Sequence, residues 1–564
     1  MPPELDLVRA YHDASKHHVG RMARSPGHLD WATMPNPFRS FDGCERIDLV
    51  EAFGAAPRDP SGWHATEYDN LFTSVPRAPM AAGLPALSVF VRFSLGLSGW
   101  KQDPWSRWSL RVNPSSGNLH PSEGYVVVGP GVTPDAVAGV LHYRPDQHAV
   151  ERRAKVSDEA WLTLAAGLPR GIFFAAITSV SWREAWKYGE RAFRYCQHDT
   201  GHAIAAMRMA AGIMGWHARL VPGWSAADLS ALLGTDRDAD FSDAEREEPE
   251  CLLAVSPQPL TRAAYPDAAS VAAAFRRSEW SGRASRLSPA QVVWEAVDTV
   301  ALATAGASGP APGDRAHVPA SVVPAAAGPR LHPSHLATDL VLNRRSAVAM
   351  SGDGHLEFPA FCRLLRRLLP VDAAPWDALW WAPRLHVALF VHRVDGLEPG
   401  LYILARDARA IPELRAALRE DFIWTRPPDL PDGLNLFLLV PLDVRTIAGV
   451  LSCRQAIAAD GFFSVAMLAE FDGALADHGA PFYRNLFWEA GLIGHMLYLE
   501  AEAAGARGTG IGCFFDDAVH DLFGIPDHRL QSLYHFTVGQ PVDDERLETE
   551  PGYGWEGRGL GGKK

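Results

Sequence analysis

Hydrophobic positions along the chain fall into short blocks of two kinds. Residues 125–128 (Tyr-Val-Val-Val) and 171–180 are β-branched and aromatic runs bounded by Gly and Pro, which predicts strands. Residues 199–214 set Ile204, Met207, Met209 and Ile213 among alanines, which predicts a helix stopped at Gly215. In the second half the pattern predicts a short helix over 361–369, strands over 385–394 and 434–440, helices over 455–475 and 488–504, and a last strand over 533–538. The first 60 residues have poor periodicity, with turn signals at Ser25-Pro26-Gly27-His28 and Met34-Pro35-Asn36-Pro37. They read as an extension that wraps a neighbouring domain, with a short helix over 5–18.

The stretch 303–333 is dense in Ala, Pro and Gly, a composition that removes backbone donors and adds chain entropy. It reads as a linker. The expected organisation is an N-terminal extension (1–64), a first α+β domain (65–290), a linker (291–334), a second α+β domain (335–550) and a loose tail (551–564). A weak internal repeat joins the halves: Arg191 and Arg484, Gly201-His202 and Gly494-His495, and Gly212 and Gly505 all lie 293 positions apart.

Composition narrows the function. The 564 residues are 47% hydrophobic and 21% charged, as in ordinary globular proteins, and the net charge is −13. That balance argues against a surface built for nucleic acid. No run of 18 apolar residues and no signal-peptide core occurs, so neither a membrane span nor export is expected. The six Cys are scattered singly, with no CxxC pair, which predicts no zinc site, no disulfide framework and a reducing, cytoplasmic setting. His17-His18 point different ways on a helix, so a shared metal is not expected and solvated surface histidines are the reading. Tyr11, His12, His17 and His18 also offer a docking surface for a partner. No GxSxG elbow supports a hydrolase.

Four motifs carry candidate chemistry. Arg344-Arg345-Ser346 presents two guanidiniums and a hydroxyl suited to a phosphate, or else a solvated basic turn. Pro114-Ser115-Ser116-Gly117-Asn118-Leu119-His120-Pro121 is a loop rich in short polar side chains, able to bond the polar edge of a heterocycle. Gly508-Thr509-Gly510-Ile511-Gly512 lets backbone approach a ligand closely, or is a helix C-cap running into a loop; it lacks the strand–turn–helix context of a dinucleotide site. Lys187-Tyr188, in Lys187-Tyr188-Gly189-Glu190-Arg191, is a proton-transfer pair if burial shifts it, and otherwise a charged helix end. Trp100, Trp105 and Trp108 precede the serine loop and form a candidate aromatic roof, although core packing is the commoner role of such residues. Trp182 and Trp186 share a face if their segment is helical.

Together these motifs resemble the nitroreductase-like FMN-dependent superfamily, in particular its tandem-domain members and the SagB-type (thiazole/oxazole-forming) dehydrogenases. PSSGNLHP resembles the superfamily's PSSxNxQP loop, with His120 where Gln is usual. The resemblance implies two tandem nitroreductase-like domains, each a mixed β-sheet flanked by helices, forming an intramolecular pseudo-dimer. The serine loop lies in the first half and the Arg-Arg-Ser and Gly motifs in the second. The first half has no Arg-Arg-Ser around 66–79, and the second no PSSxN around 386–400. One interdomain FMN site is therefore expected, with its mirror lost. It would use Arg344, Arg345 and Ser346 for the phosphate, Pro114, Ser115, Ser116 and Asn118 around the ring, backbone at Gly510, Ile511 and Gly512 near its reactive edge, and Arg546 as a further phosphate contact. Implied too are NAD(P)H as electron donor, a small-molecule or peptide substrate, and Lys187 and Tyr188 as the proton-transfer pair if the reaction is azoline dehydrogenation. A non-catalytic peptide-binding scaffold is the alternative.

Overall fold

The computed structural model describes residues 3–58, 62–73, 77–260, 265–310 and 334–556. The expected linker therefore lies mostly outside the described residues, at 311–333, and so does the end of the expected tail, 557–564. Within the span assigned to the linker, Glu295–Ala303 is a helix.

Two large sheets repeat one topology. In chain order the first contains β1 (Ser122–Val128), β2 (Gly139–Arg144), β3 (Ala149–Lys155), β4 (Phe173–Ser179), β5 (His217–Leu220) and β6 (Glu248–Ser256). The second contains β7 (Leu385–Val391), β8 (Gly400–Leu404), β9 (Leu436–Pro441), β10 (Phe463–Glu470), β11 (Arg507–Ile511) and β12 (Leu530–Gly539). The spatial orders are β3-β2-β1-β4-β6-β5 and β9-β8-β7-β10-β12-β11, so each strand has its counterpart six places on. Pairing along both paths is antiparallel throughout, rather than mixed. Short strands at Glu45–Asp48 and Glu279–Trp280 extend the first sheet.

The helical elements follow the same duplication. The labelled helices are α1 (Pro3–Ala14), α2 (Ser181–Tyr188), α3 (Ala192–Ile213), α4 (Ala337–Asn343) and α5 (Phe482–Ala503). α3 and α5 are both 22 residues long, are buried on nearly every side, and pack on each other between the sheets. Glycine makes the crossing close. A Cβ on Gly491 would lie 2.8 Å from the Gly201 Cα, and one on Gly201 would overlap the Trp488 carbonyl oxygen. One apolar core runs through both halves, from Val8 and Phe90 to Ile493 and Val538, while each sheet's outer face has a smaller core of its own.

Further sequence readings change. The segment 455–475 is not one helix: a short turn at Ile457–Asp460 leads into strand β10 and then the helix Phe471–His478. β10 is buried on both faces along seven of its eight residues, so it shows no apolar–polar alternation. The glycine run forms strand β11 rather than a loop. Cys453 and Cys513, 60 positions apart, are brought to a Cα separation of 5.8 Å and form a disulfide, where the scattered cysteines had predicted no disulfide framework and a reducing setting.

The N-terminal segment binds both halves. In α1, Arg9 donates to Asp472 at 2.8 Å, and the fully buried His12 meets the Tyr483 hydroxyl at 3.1 Å and Gln531 at 3.0 Å. His17 is also buried: its backbone N–H donates to Asp516 and its ring nitrogen accepts from the Ala23 N–H. Burial beside Arg191 lowers its pKa to about 3. These side chains are internal fasteners rather than solvated histidines. Only His18, which pairs with Asp517, remains half-exposed. No cluster suited to a metal ion occurs among the described residues, and no helix there is long and apolar enough to cross a membrane.

Candidate functional site

The site is assembled where a loop of the first half meets a strand of the second. Residues 114–121 leave the hairpin strand Arg107–Arg111 and enter β1. Gly117, Asn118 and His120 all have positive φ (58°, 59° and 54°), so the loop is tightly coiled. Its side chains hold that shape. The Asn118 amide donates to the Ser109 carbonyl at 2.9 Å, and Ser115 Oγ accepts from the His120 N–H at 2.8 Å. The N–H and hydroxyl of Ser116 both donate to Asp199 Oδ1 at 3.0 Å. Burial, and then the neighbouring Arg111, hold the His120 pKa well below the usual imidazole range.

α2 packs against this loop. A Cβ on Gly117 would lie 2.5 Å from the Tyr188 hydroxyl oxygen and 3.2 Å from Lys187 Nζ, so both groups face the loop's glycine. The Lys187 ammonium lies 5.1 Å from the Tyr188 ring centre. Burial raises the Tyr188 phenol well above its ordinary pKa. The Tyr188 ring meets that of Tyr195 at 4.4 Å, and Tyr195 is pressed against Gly512. Trp182 and Trp186 are both buried, and their segment is helical, the condition under which they share a face; the Trp186 indole donates to the Asp30 carbonyl.

From the other half come Arg344, Arg345 and Ser346, just after α4. Ser346 bridges to Gly508 of β11, and its hydroxyl meets the Tyr498 hydroxyl at 2.9 Å. That same Tyr498 hydroxyl accepts the Gly510 N–H at 3.0 Å, so one α5 phenol ties the two motifs together. Arg344 is buried, with its guanidinium 5.0 Å from the Tyr498 ring centre. It donates to the Arg111 carbonyl across the halves, and its Nε has no partner. Arg345 donates to the carbonyls of Leu342, Arg344 and Ser98. Burial and the neighbouring Arg344 lower its pKa to about 10, so it stays charged at neutral pH. Among the described residues neither guanidinium has a carboxylate salt bridge, whereas most buried arginines elsewhere in the chain do.

The structure thus joins Arg344, Arg345, Ser346, Pro114, Ser115, Ser116, Asn118, Gly510, Ile511, Gly512, Lys187 and Tyr188 into one connected neighbourhood. Arg546 is not part of it. It lies at the surface and forks onto Asp544. The tryptophans divide: Trp105 is 91% exposed, while Trp100 donates to the Gly552 carbonyl under the Arg107 guanidinium. Sequence reasoning passed over Asp199, Tyr498, Glu184 and Tyr195, and noted Arg191 only in the repeat and in the Lys187 motif. The signal available for Asp199 was a run of polar residues, Gln197-His198-Asp199-Thr200, at the start of a helix whose later turns are Ala-rich.

The duplicated topology locates the mirror position. Ala218 pairs with Val255 opposite Phe173, just as Gly508 pairs with Val538 opposite Phe463. Leu220 consequently stands where the second half has Gly510. A cleft at this end is lined by Arg219, Trp376, Asp377, Trp381, Arg406 and Glu489. Its arginines are already engaged: Arg406 pairs with Glu489, Arg219 donates to the Leu260 carbonyl at 3.1 Å, and outside the lining Arg208 forks onto Asp377 at 2.7 Å through both nitrogens.

Comparison with known proteins agrees with this architecture. Residues 441–540 match the nitroreductase family model. A solved structure from Anabaena variabilis named for a nitroreductase superposes with a TM-score of 0.63 at 20% identity, covering 95% of this chain and 99% of that one. A nitroreductase-named structure from Ralstonia eutropha covers 36% of this chain and 82% of its own, at 14% identity and a TM-score of 0.25. A chain of the E. coli microcin synthetase McbBCD complex with truncated pro-MccB17 bound covers 46% of this chain and 95% of its own, at 18% identity and a TM-score of 0.27. No curated protein matches. The chain therefore has the fold of the Anabaena structure, and the match to the nitroreductase family model is confined to residues 441–540.

Proposed function

We propose that the protein is an FMN-dependent oxidoreductase with one flavin site, built from both halves. The observation that carries this reading is the adjacent pair of the buried Arg344 and the half-buried Arg345, neither of which has a carboxylate salt bridge among the described residues, next to Ser346, which Tyr498 ties to Gly510 of β11. Two neighbouring guanidiniums, with only the more distant Glu502 carboxyl acting on both, fit a ligand phosphate. The donor set suits FMN: Arg344, Arg345 and Ser346 would hold the phosphate, the 114–118 loop would border the ring, and the N–H groups of 510–512 would stabilise negative charge at its edge. Bound flavin would supply two-electron chemistry. The chain's own tasks are to orient the substrate, exclude water and move a proton. Lys187 Nζ and Tyr188 Oη, both facing Gly117, are placed for that last task. This favours dehydrogenation of a peptide azoline, with a proton leaving to this pair.

The purified protein is expected to show an oxidised-flavin absorbance spectrum, with one FMN per chain released on heating. Two per chain would contradict the loss of the mirror site through Leu220 and the engaged arginines. Arg344→Ala is expected to weaken FMN binding about 10- to 100-fold, the worth of one or two charge-assisted bonds. A protein that takes up no flavin from excess FMN would overturn the proposal.

A further inference from the structure

We infer that the Cys453–Cys513 disulfide is a thiol-exchange site for dithiols, and that opening it frees the chain at Gly512, just past β11; only its effect on flavin rests on the function proposed above. Cys453 lies in the turn after the helix Arg445–Leu451, and Cys513 directly follows Gly512. The other four cysteines are free thiols. The bond is therefore not one strut of a framework of the kind that small disulfide-rich domains need.

Three observations point to exchange. Both cysteines are half-buried, whereas Cys196, Cys251 and Cys362 are enclosed, and access by the attacking thiolate governs exchange. Cys453 and Arg454 both have left-handed backbone, with φ of 53° and 61°, which residues with a Cβ adopt under strain; opening the bond gives that turn room to relax. The two segments are also tied without the bond. The Gln455 amide donates to the Cys513 carbonyl at 3.2 Å, and the Phe515 N–H donates to the Leu451 carbonyl at 2.8 Å. The fold can therefore survive reduction of the pair.

What the bond adds is a hold on Gly512. That residue is otherwise held by Arg191, which donates to its carbonyl, and by the Tyr195 ring, which a Cβ there would overlap. Tyr195 in turn meets the Tyr188 ring at 4.4 Å. Release of Cys513 lets Gly512 shift against both contacts, at the place where the two halves build the candidate site. In the exchange, a thiolate of the dithiol attacks one sulfur, forming a mixed disulfide and expelling the other sulfur as a thiolate, which takes a proton. The reagent's second thiol then displaces the chain's remaining sulfur. Two electrons and two protons pass to the chain, which gains two thiols, and the reagent leaves as a disulfide.

The test treats the folded, flavin-free protein with dithiothreitol, alkylates it with iodoacetamide and maps the labels by peptide mass spectrometry. Cys453 and Cys513 should be labelled only after reduction, with the circular dichroism unchanged. Hydrogen exchange should show lost protection at 453–455 and 511–513, and retained protection in α3 and α5. A pair that resists the dithiol overturns the inference. So does unfolding on reduction, which would make the bond a staple, and so does labelling with unchanged protection at 511–513. The double variant Cys453→Ser, Cys513→Ser should show the reduced exchange pattern with or without dithiol. It should bind FMN about 3- to 10-fold more weakly than the oxidised parent, the worth of one hydrogen bond. Equal affinity would overturn the coupling to the flavin site. If neither protein binds flavin, the functional proposal falls instead, and labelling and hydrogen exchange still decide the thiol site.

Discussion

Asp516→Ala is expected to cost about 3–5 kcal/mol of stability at neutral pH, the penalty for leaving buried charge uncompensated. Asp516 is fully buried and bonded on both oxygens. Oδ1 accepts from Arg194 at 2.7 Å, and Oδ2 accepts from Arg191 at 3.0 Å and from the His17 N–H at 2.9 Å. Both arginines also donate to the N-terminal segment, Arg191 to the Ser15 carbonyl and Arg194 to the His12 carbonyl. One carboxylate of the second half thus ties the start of α3 to the extension. Arg191 donates as well to the Gly512 carbonyl, so the fastening reaches the candidate site.

The pH dependence has a definite sign. The two guanidiniums outweigh desolvation and hold Asp516 well below the usual carboxylate range. Its contribution is complete above the unfolded pKa of about 4 and is lost as pH falls toward the folded value. Urea unfolding of the parent and of Asp516→Ala should therefore differ by the full amount at pH 7 and converge progressively below about pH 4. A constant difference across that range would show that the lost stability comes from packing rather than charge.

How much of this was legible in the chain depends on where the information lies. Strands at Tyr125–Val128 and 173–179 announce themselves because β-branched runs end at Gly and Pro. α3 does so because its apolar residues keep helical spacing over four turns. β10 hides because Phe463–Ala469, buried on both faces, carries alanine, methionine and leucine that suit a helix equally well. The site divides in the same way. Motifs whose chemistry is contiguous, such as Arg344-Arg345-Ser346 and the 114–121 loop, stand out locally. Tyr498 and Asp199 do not, since their meaning comes from contacts with residues 12 and 83 positions away. The Cys453–Cys513 pair is invisible for the same reason.

The crossing of α3 and α5 is where the composite site is most exposed to a single change. Gly201→Val is expected to cost about 3 kcal/mol or more, at or beyond the upper end for an overpacked core. The reason is what the new side chain would strike. Its Cβ would overlap the Trp488 carbonyl oxygen and sit 2.9 Å from the Gly491 Cα, and neither backbone can turn aside as a side chain would. Gly212→Ala, on the same helix, is the control. There the nearest atoms are the side-chain ends of Leu71 at 3.2 Å and Arg208 at 3.4 Å, which can yield where backbone cannot. Gly201→Val should lower the unfolding midpoint far more than Gly212→Ala. Relief of the Gly201→Val clash would push α3 away from α5, and with it Asp199 away from Tyr498. The serine loop hangs on Asp199, and the glycine strand on Tyr498. Flavin retention should therefore fall in Gly201→Val even under conditions where the protein remains folded, and stay unchanged in Gly212→Ala. Full retention in a folded Gly201→Val protein would mean that the site belongs to one half alone.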